Sequence, residues 1–281
     1  MKTNTVMNKL LPLALLISLM TSSSVMATGP RVTAHMLSEG MQIYALDLQP
    51  FISTEKEGGG FDAEIVNMAL KAAGIDASVT SLPLDNMVKY YLIQENAIAV
   101  LGHHLSFSGK QREDLIFIPI SVTHESYFYY QPAQKSALSW NGKLKNLKGY
   151  TYGAHKSEDV AAYKDAGINI VFGKPRTLLK KLKSKEIDFI QLPELTAEWM
   201  IDKYFPEDKA NYSPMKTAVG EKPTFIIFNK KHPEGEDVAK KFRAGLSKII
   251  EDGRYMAIVE KYEGKGTMAQ KHMKSLRSFS D

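Results

Sequence analysis

Short β-like runs alternate with helical patterns along this chain, and that alternation constrains the fold more than any other feature. Asp62 opens a helical pattern whose apolar residues recur at helical spacing until Gly74 ends it, and Asp85 opens another. The runs of this first series that are predicted to be strands are 42–46, 77–82 and 98–101. Strands separated by helices usually pair in parallel, so the pattern predicts an α/β fold.

A second series of the same kind follows. Its predicted strands are 150–154, 169–172 and 187–192, and its predicted helices are 157–167, 177–185 and 194–204. The chain then returns through a strand at 224–228 and helices at 234–252 and 254–262, whereas the segment from Gly264 is polar and basic and is expected to fray. Two stretches with Gly or Pro, 119–126 and 218–223, are candidates for crossings between the two series.

The first 27 residues have the three parts of a secretory signal peptide. Lys2 and Lys9 give a positive start, Leu10–Met20 is a short apolar core, and Val25 and Ala27 occupy the small-residue positions before cleavage. The apolar run is too short for a bilayer span, which needs about 20 residues. The sequence therefore predicts export, cleavage after Ala27 and a product free in the periplasm.

Composition excludes several classes of protein. The chain has no cysteine, which removes thiolate catalysis, cysteine metal sites and the acceptor for a lipid anchor. The formal net charge is +5, but the basic residues are scattered among almost as many acids and are not interleaved with aromatics as in nucleic-acid-binding modules. We therefore expect no membrane anchor and no nucleic-acid partner.

Motifs for phosphate binding and metal binding are weak. The Gly58-Gly59-Gly60 cluster lacks the Lys-Ser/Thr of a P-loop and predicts a turn. His103, His104 and His155 make a zinc site conceivable, but no H-x-x-x-H or H-E-x-x-H spacing occurs. The sequence therefore predicts neither a metal nor a cofactor.

Six pieces of the sequence follow one another in an order typical of a known family. They are Pro50-Phe51 with 60–64 (GFDAE), 83–85 (PLD), 105–108 (LSFS) with Arg112 and Phe117, 147–153 (LKGYTYG), 186–189 (EIDF), and 230–262. Together they resemble the bacterial extracellular solute-binding family 3, the periplasmic binding proteins of polar amino-acid ABC transporters. The resemblance covers nearly all of the chain after the signal peptide.

The resemblance implies a type II periplasmic-binding-protein fold, in which two α/β lobes joined by two hinge crossings close like a flytrap. It implies lobe 1 at 28–122 and 223–263, lobe 2 at 123–222, and a polar basic tail at 264–281. It also implies a monomer that delivers a small molecule to an inner-membrane ABC permease. Ligands of such folds bind at the carboxyl ends of strands, in the cleft between the lobes.

Two positions that hold the amino acid in this family differ here. Counting from Ser106, Gln111 stands where the family has the arginine that pairs with the ligand carboxylate, and Arg112 comes one residue later. Pro193 stands where the family has an acidic residue for the ligand ammonium, and Glu194 follows. A bidentate arginine–carboxylate pair is geometrically demanding, so amino-acid specificity is not carried over unless Arg112 and Glu194 restore the clamp.

Further candidate ligand contacts come from the first lobe. Phe51 and Leu84 fit either a sandwich around the ligand or ordinary core packing. His103 and His104 follow a strand whose side chains alternate, so one of them is expected to point into the cleft. A hydrogen-bonded structural histidine fits this position equally well.

The second lobe offers an anion site. His155, Lys156 and Ser157 occupy a strand-to-helix turn with Ser157 as the cap, where backbone amides and the Lys156 charge favour an anion. This turn predicts a small polar, carboxylate-bearing ligand; a solvated turn is the alternative. Asp62 and Asp188 are interpreted as structural, a helix cap and a sheet-edge residue.

Other functions remain open at this point. A periplasmic sensor or orphan binder fits the sequence as well as a transport protein does. A lyase on the same fold would need His104, Glu194 and Lys156 for acid–base chemistry, without any cysteine or G-x-S-x-G motif to support it. A structural protein with a decayed cleft would bind nothing. We favour a solute-binding protein without enzymatic activity.

Overall fold

The computed structural model describes residues 41–55, 57–82, 85–103, 107, 109–131, 138–156 and 158–280. Within these residues nine strands form one mixed sheet. The predicted signal peptide at 1–27 lies outside the described residues. None of the helices in this part of the chain combines the length and the apolar character that crossing a membrane requires.

Parallel strands form the first part of the sheet. In chain order its elements are β1 (Met41–Leu46), α1 (Phe61–Ala72), β2 (Ala77–Leu82), α2 (Asp85–Ile93) and β3 (Ala99–His103). β1 lies between β2 and β3 and is parallel to both. Ile65 and Ala69 lie one helical turn apart on α1 and are fully buried, which is why the apolar spacing in the sequence predicts this helix.

The second part repeats this arrangement. The elements that follow are α3 (Gly109–Arg112), β4 (Leu115–Tyr130), β5 (Thr151–Ala154), α4 (Ala161–Asp165), β6 (Asn169–Phe172), α5 (Pro175–Lys183), β7 (Phe189–Pro193), α6 (Glu194–Tyr204) and β8 (Tyr212–Pro214). β5 lies between β6 and β7 and is parallel to both. The predicted helix with a Ser157 cap is wrong at its start, because α4 begins at Ala161 after Val160.

Two long antiparallel strands join the halves. β4 pairs with β9 (Gly220–Asn229) and, farther along, with β7. The register shifts between Pro119 and Ser121, because a proline has no N–H to complete the ladder and a bulge absorbs the mismatch. The two candidate crossings, 119–126 and 218–223, therefore lie side by side, with His124 opposite Glu221.

Each half buries its own apolar core. The larger cluster includes the fully buried Phe61, Phe228 and Phe242. The second half has two smaller clusters, one around Leu179 and one around Tyr152. Separate cores agree with two lobes, and the lobe boundaries given above stay predictions.

The chain ends in three helices, and the last corrects a prediction. They are α7 (Gly235–Glu251), α8 (Arg254–Glu263) and α9 (Thr267–Ser280). The expectation that the polar segment from Gly264 frays is wrong, because α9 packs against α8 and β4. Four of its buried residues, Ala269, His272, Met273 and Leu276, make one helical stripe at the spacing i, i+3, i+4 and i+7.

Leu276 tests whether α9 is docked. Replacing Leu276 by alanine is expected to lower the free energy of unfolding by about 2–3 kcal/mol, because the side chain is buried and its loss leaves a cavity. Urea unfolding measures the change. The matched control is Arg277→Ala at the exposed next position, expected within about 0.5 kcal/mol of wild type. Equal, small effects of both changes would show that α9 is not packed.

Candidate functional site

The carboxyl ends of the parallel strands lie together in each half, and predicted ligand-binding residues follow these ends. Phe51 comes in the loop after β1, His103 ends β3, His155 follows β5, and Glu194 follows β7. Loops diverge at such ends and leave a crevice, which is where open α/β sheets bind ligands. The topology thus carries candidate residues from both halves to the edges where a ligand is expected.

Phe51 is positioned by the turn that the glycine cluster predicts. A Cβ at Gly60 would lie 2.6 Å from the carbonyl oxygen of Pro50, so only glycine permits this approach. The Asp62 N–H lies in the first turn of α1, where the helix itself supplies no acceptor, and it donates to the Phe51 carbonyl at 2.9 Å. The Phe51 side chain is 1% exposed and its ring centroid lies 6.2 Å from that of Phe61. Of the two readings of Phe51, core packing is the one these contacts favour.

For the other predicted ligand contacts of the first lobe, the structure describes fewer interactions. Arg112 lies exposed in α3 and donates from Nε to the carbonyl of Phe107 at 3.2 Å. His103 pairs with Thr224 in the sheet. The positions that lie outside the described residues are Leu84, His104, Ser106, Ser157 and the side chain of His103.

The predicted anion turn already holds a carboxylate. The His155 N–H donates to Oε2 of Glu158 at 3.2 Å, and the Tyr152 hydroxyl donates to the other oxygen of the same group. The Glu158 carboxylate therefore already accepts a hydrogen bond from the backbone N–H that was expected to face an anionic ligand. His155 and Lys156 are exposed, and α4 begins only at Ala161.

Glu194 connects lobe 2 to the crossing strand. It is the first residue of α6, where the helix dipole favours an acidic group. The Ser126 hydroxyl, on β4, donates to Glu194 Oε1 at 2.5 Å. Glu194, one residue after the position where the family has an acidic residue for the ligand ammonium, therefore has a structural partner.

A buried polar network at the crossing was not predicted from the sequence. Glu125 on β4 accepts a hydrogen bond from Lys222 on β9 at 2.7 Å and one from Gln191 on β7 at 2.6 Å. The Tyr163 hydroxyl donates to Gln191 Oε1 at 3.1 Å. The sequence carries little signal for this network, because Glu125 stands in the polar run 123–126, which is typical of a loop. In the structure Glu125 is only 9% exposed.

A small cavity lies between α6, β4 and the α8–α9 corner. Its volume is about 70 Å³, and its lining residues are Phe51, Val122, His124, Glu194, Leu195, Glu198, Glu263 and Met268. Burial raises the pKa of Glu198, and the Glu194 carboxylate raises it further. Burial lowers the pKa of His124 and outweighs the opposite effect of Glu263, so this imidazole is neutral near pH 7.

The structure brings some candidates together and leaves others apart. Phe51 and Glu194, from different halves, line the same cavity. Arg112, His155 and Lys156 do not line it. His124, Glu198 and Glu263 do, and the sequence analysis missed them because they are far apart along the chain and carry no motif.

Comparison of the sequence with protein-family models and with curated proteins gives no match. Solved structures do match in shape. One is the GluR0 ligand-binding core from Nostoc punctiforme, in complex with L-glutamate: TM-score 0.57, 14% identity, covering 80% of this chain and 100% of that chain. Another is the unliganded, open L-cystine solute receptor of Neisseria gonorrhoeae: TM-score 0.60, 16% identity, covering 81% of this chain and 94% of that chain.

A sensor protein is similar to the same degree. A histidine kinase sensor domain with similarity to periplasmic binding proteins has a TM-score of 0.58 and 16% identity, and the match covers 80% of this chain and 96% of that one. At these identities the likeness establishes the fold. The chain has the two-lobed type II periplasmic-binding-protein fold that the sequence resemblance implied.

Proposed function

We propose that this protein is a periplasmic solute-binding protein that captures a small polar, carboxylate-bearing molecule between its lobes and delivers it to an ABC importer. The observation that carries the proposal is the topology. The two parallel β/α halves are joined by β4 and β9, and their strand ends face each other along β4: His103, at the end of β3, lies level with Ser121, and Pro193, at the end of β7, pairs with Glu125. A ligand that contacts both halves favours the closed state over the open one. The predicted signal peptide supports a periplasmic location for a monomer of this kind.

Charge supports the ligand class. Among the described residues, neither Arg112 nor Lys156 has an ion-pair partner, and both are exposed. Glu194, in contrast, is hydrogen bonded to Ser126. At the two positions next to those of the family's clamp, Arg112 is therefore freer than Glu194 to meet a ligand, which fits a carboxylate better than an amino acid held at both ends.

A thermal-unfolding screen of the purified protein tests this proposal. The library holds amino acids, peptides, mono- and dicarboxylates, polyamines and aromatic acids. A ligand at about 1,000 times its Kd stabilises by about 4 kcal/mol, which raises the Tm by several degrees in a protein of this size. We expect the largest shift among carboxylates that lack an amine. A larger shift with ordinary L-amino acids, or no shift with any compound, would contradict the proposed ligand class.

Matched variants locate the charge that binds the ligand. Arg112→Gln and Lys156→Gln are expected to weaken binding about tenfold or more, because a hydrogen bond to a charged group contributes about 1.5–3 kcal/mol. Lys240→Gln, at an exposed position on α7, is the control and is expected to bind normally. Unchanged affinity in both test variants would place the ligand elsewhere.

A sensor is the second candidate, favoured by the similarity to a histidine kinase sensor domain. Uptake of a labelled ligand by cells that carry or lack this protein separates the two. A transport protein is required for uptake, whereas a sensor is not.

A further inference from the structure

A second group of polar side chains lies beneath α9. His124 on β4, Glu263 at the end of α8 and His272 on α9 each offer one metal-binding atom, and these atoms lie within 4.8 Å of one another. The Glu263 and His272 side chains are 4% and 0% exposed. His124 is distant in sequence from the other two, which are nine residues apart, and the three meet only in the folded protein.

The hydrogen bonds of His272 define a position that needs a cation. Tyr255 donates its only hydroxyl proton to the carbonyl of Ile120 at 2.7 Å, so it accepts the Nε2–H of His272 at 3.0 Å. In a neutral ring, Nδ1 of His272 then carries a lone pair, yet it lies 2.8 Å from Oε1 of Glu263. Two acceptors at this distance require a proton or a metal ion.

Neighbouring atoms are left without partners. Among the described residues, both ring nitrogens of His124 and Oε2 of Glu263 are buried and accept or donate no hydrogen bond. His124 Nδ1 lies 3.3 Å from Glu221 Oε1 but without hydrogen-bond alignment, and Lys271 lies 3.0 Å from the same oxygen. Buried polar atoms of this kind destabilise a fold unless something binds them.

Charge and space both favour a cation. His124 and Glu263 line the cavity of about 70 Å³, and its other polar lining residues are Glu194 and Glu198. Three carboxylates thus surround one small space that is large enough for water.

We propose that His124, Glu263 and His272 bind one divalent transition-metal ion, with Zn²⁺ the best match. Two imidazoles and one carboxylate are a known zinc set, and water from the cavity would fill the fourth position. In a tetrahedral site with donor–ion distances of about 2.1 Å, the donor atoms are about 3.4 Å apart. The donors that lie farthest apart here, up to 4.8 Å, therefore need to approach by about 1.4 Å when the ion binds. The bound ion fastens α8 and α9 to the crossing strand β4.

Zinc titration of the chelator-stripped protein, free of any histidine tag, tests the proposal. We expect one ion per chain by calorimetry, and a four-coordinate absorption spectrum when Co²⁺ replaces Zn²⁺. His124→Gln should weaken zinc binding about a hundredfold or more, because even the outer partners of metal ligands contribute 10–100-fold. With chelator present, this variant should unfold at the wild-type temperature, since His124 makes no hydrogen bond among the described residues.

The control is His232→Gln, because that histidine lies outside the cluster and, among the residues that the structure describes, its side chain accepts a hydrogen bond only from the backbone N–H of Glu234. It should bind zinc like wild type. The proposal is overturned if wild-type protein takes up no ion, or if His124→Gln binds as tightly as wild type. It is also overturned if NMR shows both nitrogens of His272 protonated in excess Zn²⁺, since a simple imidazolium–carboxylate pair then occupies the position.

Discussion

Phe51→Ala is expected to lower the free energy of unfolding by about 3–5 kcal/mol, the usual cost of removing a buried phenylalanine. The side chain is 1% exposed and packs against Phe61, beneath the loop that Gly60 holds in place. For a protein of this size the loss corresponds to a fall in Tm of roughly 6–20 °C. Thermal and urea unfolding without ligand measure it.

Phe51→Leu is the matched control, because it keeps an apolar side chain of similar reach. We expect it to cost no more than about 1.5 kcal/mol. Ligand affinity measured on this folded variant then shows whether Phe51 also contacts the solute. A Phe51→Ala protein that unfolds like wild type but loses its ligand would show that Phe51 faces the crevice and is not part of the core.

The spacing of apolar residues predicted much of the fold, because most helices and strands bury one face and therefore repeat apolar residues at the period of that element. The strands at 77–82 and 169–172 and the helix at 194–204 have the predicted limits. Each is bounded by turn residues, and its apolar residues follow the period of either a strand or a helix but not both. The order of six weak pieces then supplied the two-lobed arrangement, which no single piece could indicate.

The crossing strand shows where local pattern fails. β4 contains Pro119 and a polar run from Thr123 to Ser126, and such residues usually indicate loops. They remain in a strand because β9 pairs with this part of β4 as far as Glu125, from about 100 residues away in sequence, and β7 pairs with Ser126. Lys222 also neutralises Glu125. Long-range pairing of this kind cannot be read from a local window.

The last helix, α9, was not predicted from the sequence for a related reason. In α9 the buried stripe includes His272, a residue that hydropathy counts as polar. Its burial depends on Tyr255 and Glu263, which lie on α8. The candidate cavity could not be predicted for the same reason, since His124 and Glu263 line one site only after tertiary contacts bring them together.

Asp62→Asn is expected to remove a pH dependence that the wild-type protein has. Asp62 was interpreted as a helix cap, but it lies inside the first turn of α1, 1% exposed, and accepts from the Ser121 hydroxyl at 2.5 Å. Burial raises its pKa from 3.8 to about 7, more than the Ser121 hydrogen bond lowers it. The folded state therefore holds a proton that the unfolded chain releases above about pH 4.

The sign of the effect follows from that difference. This stabilisation is complete below about pH 4 and is lost as the pH rises through about 7, above which the carboxylate is charged in both states. The full cost is about 4 kcal/mol, of which about 3 kcal/mol falls between about pH 5 and pH 8. The asparagine side chain does not ionise, so the stability of Asp62→Asn relative to wild type should rise by that amount over this range. Urea unfolding in chelator measures both proteins with the histidine cluster empty.

Ser121→Ala separates this carboxyl from other titrating groups. The Ser121 hydroxyl stabilises the ionised form of Asp62, so its removal should move the fall in stability to higher pH. In the Asp62→Asn background the same substitution should leave the pH profile unchanged. Parallel profiles for wild type and Asp62→Asn would mean that Asp62 is charged in the folded protein at about pH 5, and that an unrecognised cationic or hydrogen-bonding partner compensates for its burial.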